Sequence, residues 1–228
     1  MPSTDRSTRP PGSLSRPQAR SSGRILDAAR SLITSEGLGD LSMRRLADEA
    51  DVSVRTIYNI FGDKQAVVAA VVQQSFDAMD AAMAVSHATD PIDRIWETVA
   101  ISIEAYCRSV PPALVVAVIT DPALNARIAP RWRGRDRILD AIATAVHDRV
   151  LRPDVGPDRL VDQAGPVHAH RLAQWAWGQI DEDELRCSVL YAYDLCLLAV
   201  AMPRTRDRLI EHMATLEPTL PALIAATT

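Results

Sequence analysis

Two short helical segments separated by only three residues constrain this chain more than any other feature. In "LSMRRLADEADVSVRTIYNIFGDK", Ser42 is placed to cap a helix over 43–50 whose apolar face is Met43, Leu46, Ala47 and Ala50. Asp51-Val52-Ser53 is too short for anything but a turn, Ser53 caps a third helix over 54–61, and Gly62-Asp63 separates it from a longer helix starting near Lys64. Ahead of them, Ile25, Ala28, Ala29, Leu32 and Ile33 fall on one face of a helix that "SEGLGD" ends. A pair of short helices joined by a tight turn, packed behind a first helix, describes a helix-turn-helix.

The third helix divides cleanly by angle. At about 100° per residue, Val54, Ile57 and Phe61 face the core, and Asn59 points away from it with Arg55 and Thr56 on either side. A guanidinium, a hydroxyl and an amide on one exposed face match guanine, mixed and adenine edges in a major groove. Tyr58 lies at the border, where its hydroxyl can reach a phosphate. Lys64, the only lysine of the chain, sits at the start of the next helix and suits a phosphate oxygen beside the groove. With Ser42, Arg44 and Ser53, these residues form the expected DNA-contacting set.

The stretch "LADEADVSVRTIYNIFGDKQAV" resembles the DNA-binding segment of the tetracycline-repressor (TetR) family. Leu46-Ala47, Ala50, Val52-Ser53, Ile57-Tyr58, Phe61, Asp63 and Lys64 match its pattern, and Val67 replaces a leucine conservatively. Asp51 stands where the family has a turn glycine, a position expected to need positive φ, which Asp tolerates at a cost near ~1 kcal/mol. Ile60 replaces the usual His or Tyr and removes one polar contact.

Charge agrees with an N-terminal DNA site. Residues 1–64 hold ten of the 25 Lys+Arg and eight of the 29 Asp+Glu, net +2, so the remainder carries −6. Residues 1–22, rich in Ser, Pro and Arg, are predicted to be a disordered arm, with Arg16, Arg20 or Arg24 as candidates for minor-groove insertion. Residues 23–70 form the expected DNA-binding domain and 71–228 a larger helical domain.

The 47% hydrophobic content supplies a core, and abundant Ala, Leu and Arg with 4% aromatics predict an all-α fold. Neither a run of 18 apolar residues nor a signal-peptide pattern occurs, so a cytoplasmic protein without membrane contact is expected. Cys107, Cys187 and Cys196 lack metal or disulfide spacing. Prolines break the second domain into expected helices over 91–109, 112–120, 131–149, 157–178, 182–202 and 204–226, with Pro166 kinking or splitting one of them.

The TetR resemblance implies that this larger domain binds a small effector and dimerises through its last two long helices. Segment 182–202, apolar on nearly every side, fits a dimer helix, with Leu190, Leu197 and Val200 as interface candidates. Candidate effector contacts are Trp96, Tyr106, Trp132, His168, Trp175 and Tyr191, with His170, Trp177 and Tyr193 beside them. His168 and His170 point about 200° apart on a helix and do not suit one metal ion. No Ser-His-Asp ordering, glycine-rich phosphate loop or metal spacing is present, and no cofactor is implied. The expectation is a homodimeric, non-enzymatic regulator, most simply a repressor released from a palindromic double-stranded operator by an apolar effector. A TetR-like partner- or ligand-binding module and a helical enzyme with a structural helix-turn-helix are the alternatives.

Overall fold

The computed structural model describes residues 16–84, 88–128 and 134–220. These residues form eleven α-helices, with no strand beyond an isolated antiparallel bridge between Leu151 and Ala201. The chain divides into two compact units, Met1–Val68 and Ala69–Thr228.

The first unit contains α1 (Arg16–Glu36), α2 (Met43–Glu49), α3 (Val54–Phe61) and the start of α4 (Lys64–Met83). All five apolar positions expected of α1 are buried, joined by Leu26. Gly37 at φ +87° ends the helix, its N–H bonding to the Ile33 carbonyl at 3.1 Å. Against α1 lie Leu46 and Ala47 of α2 and Ile57 of α3, all buried. Val54, Phe61 and Met43, expected on the buried faces, are only half-buried. The first helix also starts earlier than the predicted arm allows. Residues 16–22 are helical, and the rest of that arm, 1–15, lies outside the described residues.

In the second unit proline starts helices. Pro91, Pro112, Pro122, Pro157 and Pro203 open α5 (Pro91–Ser109), α6 (Pro112–Thr120), α7 (Pro122–Ile128), α9 (Pro157–Ala176) and α11 (Pro203–Leu216). There the missing N–H costs nothing and φ is already helical. Helix α7 was not foreseen; Asp121 caps it by accepting from Ala123 N at 2.9 Å and Leu124 N at 3.2 Å. Helix α8 (Gly134–His147) follows, with 131–133 of its expected span outside the described residues. Helix α9 runs through Pro166 without splitting.

Helix α10 (Glu182–Leu198) packs against α5, α9 and α11. It ends earlier than expected because residues after it pair with the α8–α9 connection: Arg152 N donates to Val200 O at 2.8 Å and Met202 N to Val150 O at 3.1 Å. Helix α11 likewise gives way to a 3-10 turn, Glu217–Thr219, and 221–228 lie outside the described residues. Among the described residues no single helix is long and apolar enough to cross a membrane.

Candidate nucleic-acid interface and effector cavity

The helix-turn-helix is held by three local devices. Ser42 Oγ accepts from Arg45 N at 3.2 Å, and Ser53 Oγ accepts from Thr56 N at 3.1 Å, so each helix starts on a side-chain cap. Between them Asp51 adopts φ +49°, the left-handed conformation expected where the TetR pattern has glycine. Arg24 of α1 grips this residue twice, donating to its carbonyl at 3.3 Å and pairing with its carboxylate at 3.5 Å. An ion pair between Arg45 and Glu36 joins the end of α1 to α2.

This frame leaves Arg55, Tyr58 and Asn59 of α3 exposed, Tyr58 at 51%. Arg44 is exposed on α2. The hydroxyls of Ser53 and Thr56 lie 2.8 Å apart and engage each other, and Thr56 is half-buried. At the far end Gly62, φ +88°, closes α3, and the Asp63 carboxylate caps α4 by accepting from Ala66 N at 2.6 Å. Lys64 has a partner inside the unit: its ammonium donates to the Leu38 carbonyl at 3.1 Å, in the loop between α1 and α2. A lysine ammonium has three donors, so this bond leaves two for another acceptor.

The second unit contains a cavity of about 370 Å³. Its apolar wall includes Phe76 and Met79 of α4, Val115 and Ile119 of α6, and Val161 and Leu172 of α9. Of the sequence candidates, Tyr106, His168 and Tyr193 line it. Burial pushes the phenols of Tyr106 and Tyr193 up to about 12 and the His168 imidazole down to about 4, so all three are uncharged at neutral pH. Arg135 of α8 also borders the cavity, bridged to Asp162 at 2.8 Å and Asp158 at 3.2 Å on α9. These pairs hold the guanidinium pKa above its ordinary value.

None of the described tryptophans lines this cavity. Trp96 is outside the cavity: its indole donates to Asp194 Oδ1 at 2.7 Å, its ring stacks on His212 at 3.9 Å, and Arg208 lies 4.9 Å from its centroid. Asp194 is fully buried and also bonds His212 Nδ1 at 2.6 Å, so this group locks α5, α10 and α11 together. Trp175 and Tyr191 are half-buried away from the cavity, Trp177 is exposed, and Trp132 lies outside the described residues. His170 is exposed while His168 faces the cavity, as their angular separation requires. Phe76, Met79, Arg135 and Asp162 were missed; a helical pattern marks them as core or surface, and only tertiary packing turns them to one void.

The residues expected at a dimer contact are covered within the chain itself. Leu190, Leu197 and Val200 are 6%, 1% and 1% exposed within a single chain, because α5, α9 and α11 already cover α10. Leu195, 50% exposed, with half-buried Tyr191 and Leu198 at helical spacing, forms the uncovered side.

The family model for bacterial regulatory proteins of the tetR family matches residues 25–71, the segment that builds this helix-turn-helix. Over that segment the chain is similar to the TetR family. The HTH-type transcriptional regulator UidR of Escherichia coli K12 is 25% identical over 143 residues, 59% of this chain and 69% of UidR. The structure of RolR in complex with resorcinol is 13% identical with a TM-score of 0.64, covering 92% of this chain and 99% of RolR. FadR of Bacillus subtilis in complex with stearoyl-CoA is 13% identical with a TM-score of 0.62, over 78% of this chain and 98% of FadR. TetR-family proteins are DNA-binding transcriptional regulators under small-molecule control, and these two structures share the fold of this chain.

Proposed function

We propose that this chain is a TetR-family regulator that reads a palindromic double-stranded operator as a homodimer and is released when a small, largely apolar effector occupies the cavity of its second unit. The observation that carries the DNA reading is the capped turn at Asp51, which presents Arg55 and Asn59 on a solvent-facing helix with Tyr58 at its border. Support for the effector comes from the cavity of about 370 Å³ lined by three uncharged hydrogen-bonding groups. Ligand pockets have this character: apolar walls and a few placed polar groups. RolR and FadR, with the same fold, hold resorcinol and stearoyl-CoA.

The dimer places its contact on the uncovered side of α10 around Leu195, with exposed Ile210 on α11 as a further apolar group. Release requires that the effector prefer one of two arrangements of the protein; shifting a population from mostly bound to mostly free takes about 5 kcal/mol of differential affinity. No catalytic step and no cofactor enter this reading, and the protein acts in the cytoplasm, where its operator is.

Selection of bound duplexes from a random DNA library with purified protein tests the proposal. An enriched inverted repeat is expected. Sequence-blind enrichment would overturn operator recognition.

A further inference from the structure

Helix α1 begins at Arg16, nine residues before the segment matched to the TetR family, and that extension is built as a cationic ridge. Arg16, Arg20 and Arg24 are spaced by four, which keeps them within about 80° of one another on the helix surface. All three are exposed. No acidic residue occurs from 16 to 26, and the next carboxylate on this face, Asp27, lies about 10 Å along the axis from Arg20.

The position of the ridge is set by its last member. Arg24 holds both the carbonyl and the carboxylate of Asp51, in the turn that leads into the N-terminus of α3. In a helix-turn-helix that end of the recognition helix enters the groove, and the turn rides on the groove's edge. The ridge therefore starts at the DNA side of the unit. The charge of Arg24 is matched by Asp51; those of Arg20 and Arg16, one and two turns further out, have no acidic residue of α1 within a turn.

We propose that Arg16 and Arg20 are DNA-backbone contacts that extend the protein's footprint along the phosphates beside the groove read by α3. Spacing by four on one helix face sets the guanidinium groups in a row, as a run of phosphates requires. From Arg16 to Arg24 the axis advances about 12 Å, the rise of three to four base pairs. The contact adds affinity without sequence preference. It rests on the DNA-binding reading of α3 but uses none of its residues.

The test is the salt dependence of binding to the selected operator by the full-length protein, its Arg16→Gln/Arg20→Gln double variant, and an Arg16→Lys/Arg20→Lys variant. Each lost phosphate contact lowers the slope of log K against log salt by about one. The glutamine variant is expected to bind more weakly, with a slope shallower by about two per bound subunit, equally on operator and on scrambled duplex. The lysine variant is expected to keep the wild-type slope. Since both side chains are exposed, thermal melting should be the same in all three proteins. Equal slopes for wild type and the glutamine variant would overturn the proposal. Failure of the operator reading looks different: the wild type shows no sequence preference, yet the slope difference between the variants remains. A wild type that binds no duplex at low salt overturns both.

Discussion

Asp51 and Lys64 show how single residues carry the DNA-binding unit. Asp51 occupies φ +49°, a conformation that L residues adopt at a cost of about 1 kcal/mol and that β-branched residues adopt at greater cost. Its pairing with Arg24 is largely exposed and offsets little of this. Asp51→Gly is therefore expected to leave thermal stability within about 1 kcal/mol of wild type, whereas Asp51→Val should lose about 2 kcal/mol or more. A valine variant as stable as wild type, by chemical denaturation, would show that the turn relaxes. Lys64 has two roles that one substitution separates. Lys64→Gln keeps a donor for the Leu38 carbonyl but removes the charge. If the ammonium also clamps a phosphate, this variant melts like wild type and its salt slope on operator falls by about one. An unchanged slope assigns Lys64 to holding the α1–α2 loop alone.

At the scale of elements, α10 explains why a helix apolar on all sides need not be an intermolecular one. Its neighbours α5, α9 and α11 bury Leu190 and Leu197, and the Trp96–Asp194–His212 group supplies the polar link between them. Placing an arginine at Leu197 would leave a charge in the core, and that variant is expected to lose several kcal/mol and to be recovered poorly folded. Leu195→Arg meets solvent instead. It should fold with little change in melting temperature and, if this face is the dimer contact, run as a monomer in light scattering and bind operator far more weakly. A Leu195→Arg protein that remains dimeric would move the interface off this side of α10.

At the scale of the whole molecule, the buried His168 links stability to pH. Its imidazole titrates near 4 in the folded protein, against about 6.5 when unfolded, because burial disfavours the cation. Between these values the unfolded chain binds the extra proton, so stability rises with pH across the window and is lost as pH falls through it. Above 6.5 the group contributes no slope. The loss from pH 6.5 to 4 amounts to about 3 kcal/mol at most. His168→Leu is expected to flatten this part of the stability profile, and denaturant unfolding at a series of pH values will measure it. An identical profile in the variant would place the acid sensitivity in other groups.

The sequence by itself determined what depends on neighbours a few residues apart. Caps at Ser42 and Ser53, the buried face of α1 and the solvent-facing Arg55 and Asn59 follow from local geometry, which the chain encodes at spacings of three and four, while the left-handed turn at Asp51 was expected from the TetR resemblance. Helix α7 was legible in principle, as an Asp-Pro start, but seven residues give too few turns for a periodic pattern. The cavity and the cover of α10 were decided by tertiary structure alone. An apolar helical residue reads the same whether it meets its own chain, a partner or a void. Only packing, which brings Phe76, Arg135 and His168 to one wall and sends Trp96 to Asp194, distinguishes these fates.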